Sequence, residues 1–198
     1  MKLRNLLMLA GLVVTPCIGH ADQVITFEGY PGYTVFTTQY PGVNFNGATV
    51  LSLADGTLNP AFPPHSGENV VYNPTGPMTI NFASPVQYFE GYFTYNAGLT
   101  IDAYNSSNTL LGVYNSLCTA NYQGAGTACS PNELGEVTGS NISYVVITGG
   151  GGNNFTLDDA EFTGSVDTVA APEPGSFVLL GSGLLGLAGA ARRKLASR

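Results

Sequence analysis

Residues 98–104 read GLTIDAY. Leu99, Ile101 and Ala103 alternate with Thr100 and Asp102, so apolar side chains recur at every second position. Successive side chains of a strand point to opposite faces, whereas a helix repeats a face every three or four residues. The stretch therefore reads as a half-buried strand. The same period recurs outward from it. Met78, Ile80 and Phe82 alternate with Thr79 and Asn81 in MTINF (78–82), and Ile25 and Phe27 with Thr26 and Glu28 in VITFE (24–28). NISYVVIT (141–148) is apolar on both parities at its centre, as a strand under heavy cover is.

Between these runs lie YPG, ADGTLNPAFPPHSG, NPTGP, NSSN and TGGGGNN, all turn or loop chemistry. No window offers an amphipathic soluble helix. Many short strands in one domain-sized chain predict an all-β fold, an antiparallel two-sheet sandwich with jelly-roll topology as the leading candidate.

Charge divides the chain into zones. The six basic residues are Lys2, Arg4, Arg192, Arg193, Lys194 and Arg198, while all thirteen acids lie between Asp22 and Glu173. The long middle has no Lys or Arg, which excludes nucleic acid as a partner, because phosphate binding needs them.

At the N-terminus, Lys2 and Arg4 precede an apolar run, Leu6 to Val14, and then TPCIGHA (15–21). This is the layout of a secretory signal peptide over residues 1–21, cut after Ala21. Cys17 follows Pro16 and reads as a cysteine discarded with the signal rather than as a lipoprotein site. At the other end, the 15 residues from Phe177 to Ala191 carry no charge. As a helix they span about 23 Å, short of the ~30 Å hydrocarbon core of an average bilayer. Ser182, Gly186 and Ala190 place small residues at four-residue spacing, which permits close helix packing in a membrane. The basic cluster after Ala191 favours the cytoplasmic side and leaves the acidic middle outside. The expected organisation is a signal peptide (1–21), a β-sandwich ectodomain (22–166), a linker (167–175), a transmembrane helix (176–191) and a basic cytoplasmic tail (192–198).

The segment PEPGSFVLLGSGLLGLAGAARRK (172–194) resembles the C-terminal sorting signal of PEP-CTERM proteins, with Pro172, Glu173 and Pro174, a short apolar helix, then Arg192 and Arg193. The resemblance implies a temporary membrane anchor that a membrane-embedded exosortase recognises and removes. It also implies delivery to the envelope surface or to an extracellular polysaccharide matrix. In the middle, SPVQYFEGYFTYNAGLTIDAYNSSNTLLGVYNS (84–116) and FTLDDAEFTG (155–164) resemble the strand text of PEP-CTERM ectodomains and of carbohydrate-binding-type sandwiches.

Cys118 and Cys129 survive maturation and flank a Gly-containing loop. An exported chain meets an oxidising compartment, so the pair predicts a disulfide; a zinc site would need further ligands nearby. His65, in FPPHSGEN (62–69), is the one histidine left in the mature chain and has no nucleophile-elbow sequence beside it. Gly149–Gly152 joins two strands without the helix or lysine of a phosphate loop. Nothing in the sequence identifies an enzyme. Eleven tyrosines, several grouped in GYPGYTVFTTQYPG and YFEGYFTY, suit amphipathic ligands such as glycans, and serve equally as strand packing.

Alternation breaks at Asp158-Asp159 in NFTLDDAEF, where a β-bulge would absorb the extra residue. In carbohydrate-binding-type jelly rolls, which the chain resembles, acids of the first and last strands hold a structural calcium. That resemblance nominates Glu28, Asp158 and Asp159 as oxygen ligands; the alternative is a kinked edge with solvated acids. The expected function is an exported structural or adhesive module. A glycan-binding module is second, and a secreted hydrolase of unknown substrate a distant third.

Overall fold

The computed structural model describes residues 22–163. The expected signal peptide, Pro172–Pro174, the helix at 176–191, Arg192 and Arg193 lie outside the described residues. The strands are β1 (Asp22–Ile25), β2 (Val35–Phe36), β3 (Val43–Asn46), β4 (Ala48–Ser52) and β5 (Asn69–Tyr72), then β6 (Met78–Tyr95), β7 (Leu99–Tyr104), β8 (Leu110–Asn115), β9 (Glu133–Gly149) and β10 (Phe155–Thr163). Every pairing is antiparallel.

Two strands are far longer than the short runs the sequence suggested, with 18 residues in β6 and 17 in β9. Each bends in the middle and serves two layers. Thr79–Phe82 of β6 pairs with β3, and Met78–Asn81 with Tyr144–Ile147 of β9, which continues to β7 and β8. Tyr88–Phe93 pairs with Glu133–Thr138 of β9 and with β10, which continues to β5, β4 and β2. The register shifts between Asn81 and Tyr88, where Pro85 has no N–H to give to a ladder. Asn141, with φ +68°, turns β9 at the matching level.

The hydrogen-bonded path thereby folds back on itself into two facing layers, an antiparallel sandwich. Gly135 marks their contact: a Cβ there would stand 2.9 Å from Ile101 Cδ1 of the other layer and 3.1 Å from the Phe93 ring. Ile80, Ile101, Val145 and Ile147 of one layer share a single buried cluster with Phe89, Phe93, Val137 and Leu157 of the other. Each such side chain contributes about 1.5–3 kcal/mol by leaving water.

The first strand is shorter than VITFE suggested, because it ends at Ile25. Phe27 adopts φ +60° and drops into the core, edge-on to Phe36 and Phe45 at 5.1 and 5.7 Å. Glu28 therefore lies beyond the strand rather than at its end. β1 pairs with the second half of β10, Asp22 opposite Thr163, so the chain enters and leaves the sandwich side by side.

Candidate functional site

The bulge read from FTLDDAEF is present: β10 pairs with β6 at Asp158–Tyr92 and again at Glu161–Glu90, with a register shift between. Asp159, at φ +42°, occupies the shift. The two acids turn towards the loop that ends in β5. Asp158 Oδ2 accepts the backbone N–H groups of His65 at 2.7 Å and Ser66 at 2.9 Å, and its Oδ1 accepts the N–H of Asp159 at 2.7 Å. Glu28 Oε1 accepts the N–H groups of Glu68 and Asn69, both at 2.9 Å. Two carboxylates thus satisfy four of the five consecutive N–H groups from 65 to 69. Gly67 sits between them at φ +55°, and a Cβ there would lie 2.3 Å from Glu28 Oε1.

Among the described residues no group of three His, Cys, Asp or Glu side chains is disposed to hold a metal ion. The carboxylates hold a row of backbone donors, which is how a domain without Lys or Arg accommodates acids away from water. Asp158 is 1% exposed. Burial pushes its carboxyl up to about 6, with the Ser66, Asp159 and His65 N–H groups pulling the other way and the neighbouring Asp159 charge adding to the rise.

His65 Nδ1 lies 2.7 Å from Asp159 Oδ2, and the ring stacks on Tyr92 at 3.4 Å with planes 5° apart. The Ser66 hydroxyl donates to Asp159 Oδ1 at 2.7 Å. A serine-hydrolase relay needs the serine on the imidazole. Here serine and histidine both address the same aspartate, so the trio clamps the loop to the bulge.

A second loop packs beside the first. The Cys118–Cys129 disulfide is present, with Cα atoms 6.4 Å apart. Inside its loop, fully buried Asn121 accepts the Tyr95 N–H at 2.7 Å and donates to Phe93 O at 2.9 Å, continuing the β6 ladder with a side chain. Tyr122 stacks on Phe62, rings 5.7 Å apart and 10° from parallel. At the start of β9, Glu133 receives the hydroxyls of Tyr95 and Tyr114 and the Leu117 N–H. Burial first, then the Glu133 contact, raises the Tyr95 phenol to about 12 and the Tyr114 phenol likewise upward. Nothing in the charge pattern announced this cluster, because its three parts lie 19 and 38 residues apart.

The solvent face of the first layer carries a second candidate. Cross-strand register sets Asn44, Asn81, Tyr144 and Tyr104 in one row over β3, β6, β9 and β7. The two tyrosine rings stack at 5.0 Å and 14°, and the Tyr144 hydroxyl donates to Asn108 Oδ1 at 2.9 Å. The tyrosine groups singled out in the sequence go elsewhere: Tyr30 and Tyr40 pack on the core, and Tyr92 lies under His65. Strand parity around Ile101 and Val145 was the available signal for Tyr104 and Tyr144, since both fall on the solvent side of the alternation.

Residues 170–194 match the family model of the PEP-CTERM protein-sorting motif. No curated protein matches the chain. Among solved structures the chain is similar to CsCBM6-3 from Clostridium stercorarium in complex with cellobiose, at 11% identity, covering 69% of this chain and 99% of that one with a TM-score of 0.39. It is also similar to a family 6 carbohydrate-binding module from Clostridium cellulolyticum in complex with xylose, at 15% identity, covering 66% and 95% of the two chains with a TM-score of 0.36.

Proposed function

We propose that the chain is an exported protein of the cell surface or extracellular matrix, whose β-sandwich serves as a structural or adhesive module. The observation that carries this reading is the sorting motif at residues 170–194, in a chain whose every basic side chain lies in its first four or last seven positions. In this reading residues 1–21 are removed on export and 167–175 link the sandwich to a transmembrane helix at 176–191. Arg192 and Arg193 hold that helix at the cytoplasmic side until an exosortase-type enzyme cuts near Pro172–Pro174. Intact-mass measurement of protein recovered from the producing cells tests it: both terminal segments are expected to be missing. An uncut tail in the extracellular fraction would remove the sorting reading.

A glycan-binding module is the second reading. The amide and tyrosine row on the first layer favours it, because such side chains offer donors, acceptors and ring surface together. Pull-down of the recovered protein with matrix polysaccharide separates it from a purely structural role.

A further inference from the structure

We infer that the solvent face of the first layer is a platform for an extended, electrically neutral polysaccharide, laid across the strands along the row Asn44, Asn81, Tyr144 and Tyr104. The inference rests on the glycan-binding reading and gives it a place and a ligand class. The row crosses four strands, three inter-strand steps of about 4.8 Å each, so it offers a track of about 14 Å. Beyond Asn44 and Asn81 the track opens into a cavity of about 340 Å³ against the loop at Tyr40.

The chemistry selects the occupant. Each amide presents one acceptor and two N–H donors and the Tyr104 phenol one of each, while Tyr144, whose O–H goes to Asn108, offers an acceptor, the combination that sugar hydroxyls require. The tyrosines are ordered before any ligand arrives, stacked on each other and fixed at the Tyr144 hydroxyl by Asn108. Little side-chain entropy is then lost on binding. Residues 22–163 include no Lys or Arg, and Asp102 sits beside Tyr104 on the same face, so a uronate or sulfate polymer meets only like charge. A protein partner is a poor match, since interface cores draw on aromatic and Arg anchors in desolvated pockets, and amides dominate the open end of this row.

The test is affinity electrophoresis of protein recovered from the producing cells, through gels loaded with the neutral or the uronic-acid fraction of those cells' own extracellular polysaccharide. The neutral fraction is expected to retard the protein and the acidic fraction not to. Asn81→Ala and Tyr144→Ala should each weaken the retardation roughly tenfold, the loss of one well-made polar or ring contact. Tyr122→Ala, on the other layer's loops, should leave it unchanged. Melting midpoints of the row variants show whether they are folded, and Asn81→Ala, at an exposed position, stands in if Tyr144→Ala is not. Retardation that survives both row variants overturns the platform and leaves glycan binding standing elsewhere on the domain. Retardation by the acidic fraction alone also overturns it. No retardation by either fraction removes the glycan-binding reading along with it.

Discussion

The Asp158 carboxylate accepts the backbone N–H groups of both His65 and Ser66 through a single oxygen, at 2.7 and 2.9 Å, from a strand bulge 93 and 92 residues further along the chain. Together with Glu28 on the Glu68 and Asn69 N–H groups, this fixes the loop over the second layer without a Lys or Arg side chain.

Asp158→Ala leaves three backbone donors without their acceptor, those of His65, Ser66 and Asp159. An unsatisfied buried donor costs about 1–3 kcal/mol, and water reaching the opened loop recovers part of it. A loss of about 2–4 kcal/mol in urea unfolding is expected. Because the acid oxygens are already engaged, the parent's melting midpoint should be the same in millimolar calcium and in chelator. A calcium-dependent rise would mean that the carboxylates leave their N–H partners for an ion.

The same carboxyl sets a pH dependence. Burial lifts Asp158 from 3.8 to about 6, so between those values the folded protein keeps a proton that the unfolded chain has released. Fewer protons are then bound on unfolding, and this group's contribution makes stability fall as pH rises through the window, by at most about 1.4 kcal/mol per pH unit. Unfolding midpoints of parent and Asp158→Ala should converge in their pH slopes above the window and differ within it. Parallel slopes from pH 4 to 6 would show that the three N–H donors outweigh burial.

The Glu133→Gln variant probes a second carboxylate, half-buried at the start of β9. Tyr95 holds its phenolic proton to about 12, above the usual 10.0, so stability from this contact is complete below 10 and is lost as pH rises towards 12. Removing the charge takes away the Glu133 part of the shift and leaves the larger part due to burial. Tyrosinate absorbance in the variant should therefore rise at a lower pH than in the parent but still above that of exposed tyrosines. An unchanged titration would exclude Glu133 as a cause.

What the sequence disclosed follows from range. GLTIDAY and MTINF reveal their strands because alternation is a local property, and Asp158-Asp159 reveals its bulge because a parity break is local too. The length of β6 was hidden by Pro85, which reads as a strand terminator and acts here as the corner between two layers. Glu28 was nominated for calcium by the resemblance to carbohydrate-binding-type jelly rolls. The hydrogen bonds it accepts come from backbone N–H groups 40 and 41 residues away, and every sequence possesses those. The Asn44–Tyr104 row needed register across three pairings, which no single segment encodes.

The Cys118–Cys129 bridge and Asn121 restrain one loop by different means, and their removal should be distinguishable. Closing so short a loop restricts the unfolded chain, which by chain-entropy reasoning is worth about 3 kcal/mol at most. The double variant Cys118→Ser with Cys129→Ser should therefore lower stability by about 2–3 kcal/mol. It leaves the native hydrogen bonds in place, because Asn121 stays on the Tyr95 N–H and Phe93 carbonyl and Tyr122 stays on Phe62. Asn121→Ala acts on the folded state instead, orphaning a buried donor and a buried acceptor at the end of β6. Hydrogen exchange at the Tyr95 amide reads the difference: protection relative to global stability should be kept in the cysteine variant and lost in Asn121→Ala. If the cysteine variant also loses local protection, the disulfide holds the loop against β6 in the native state, and its effect is not confined to the unfolded chain.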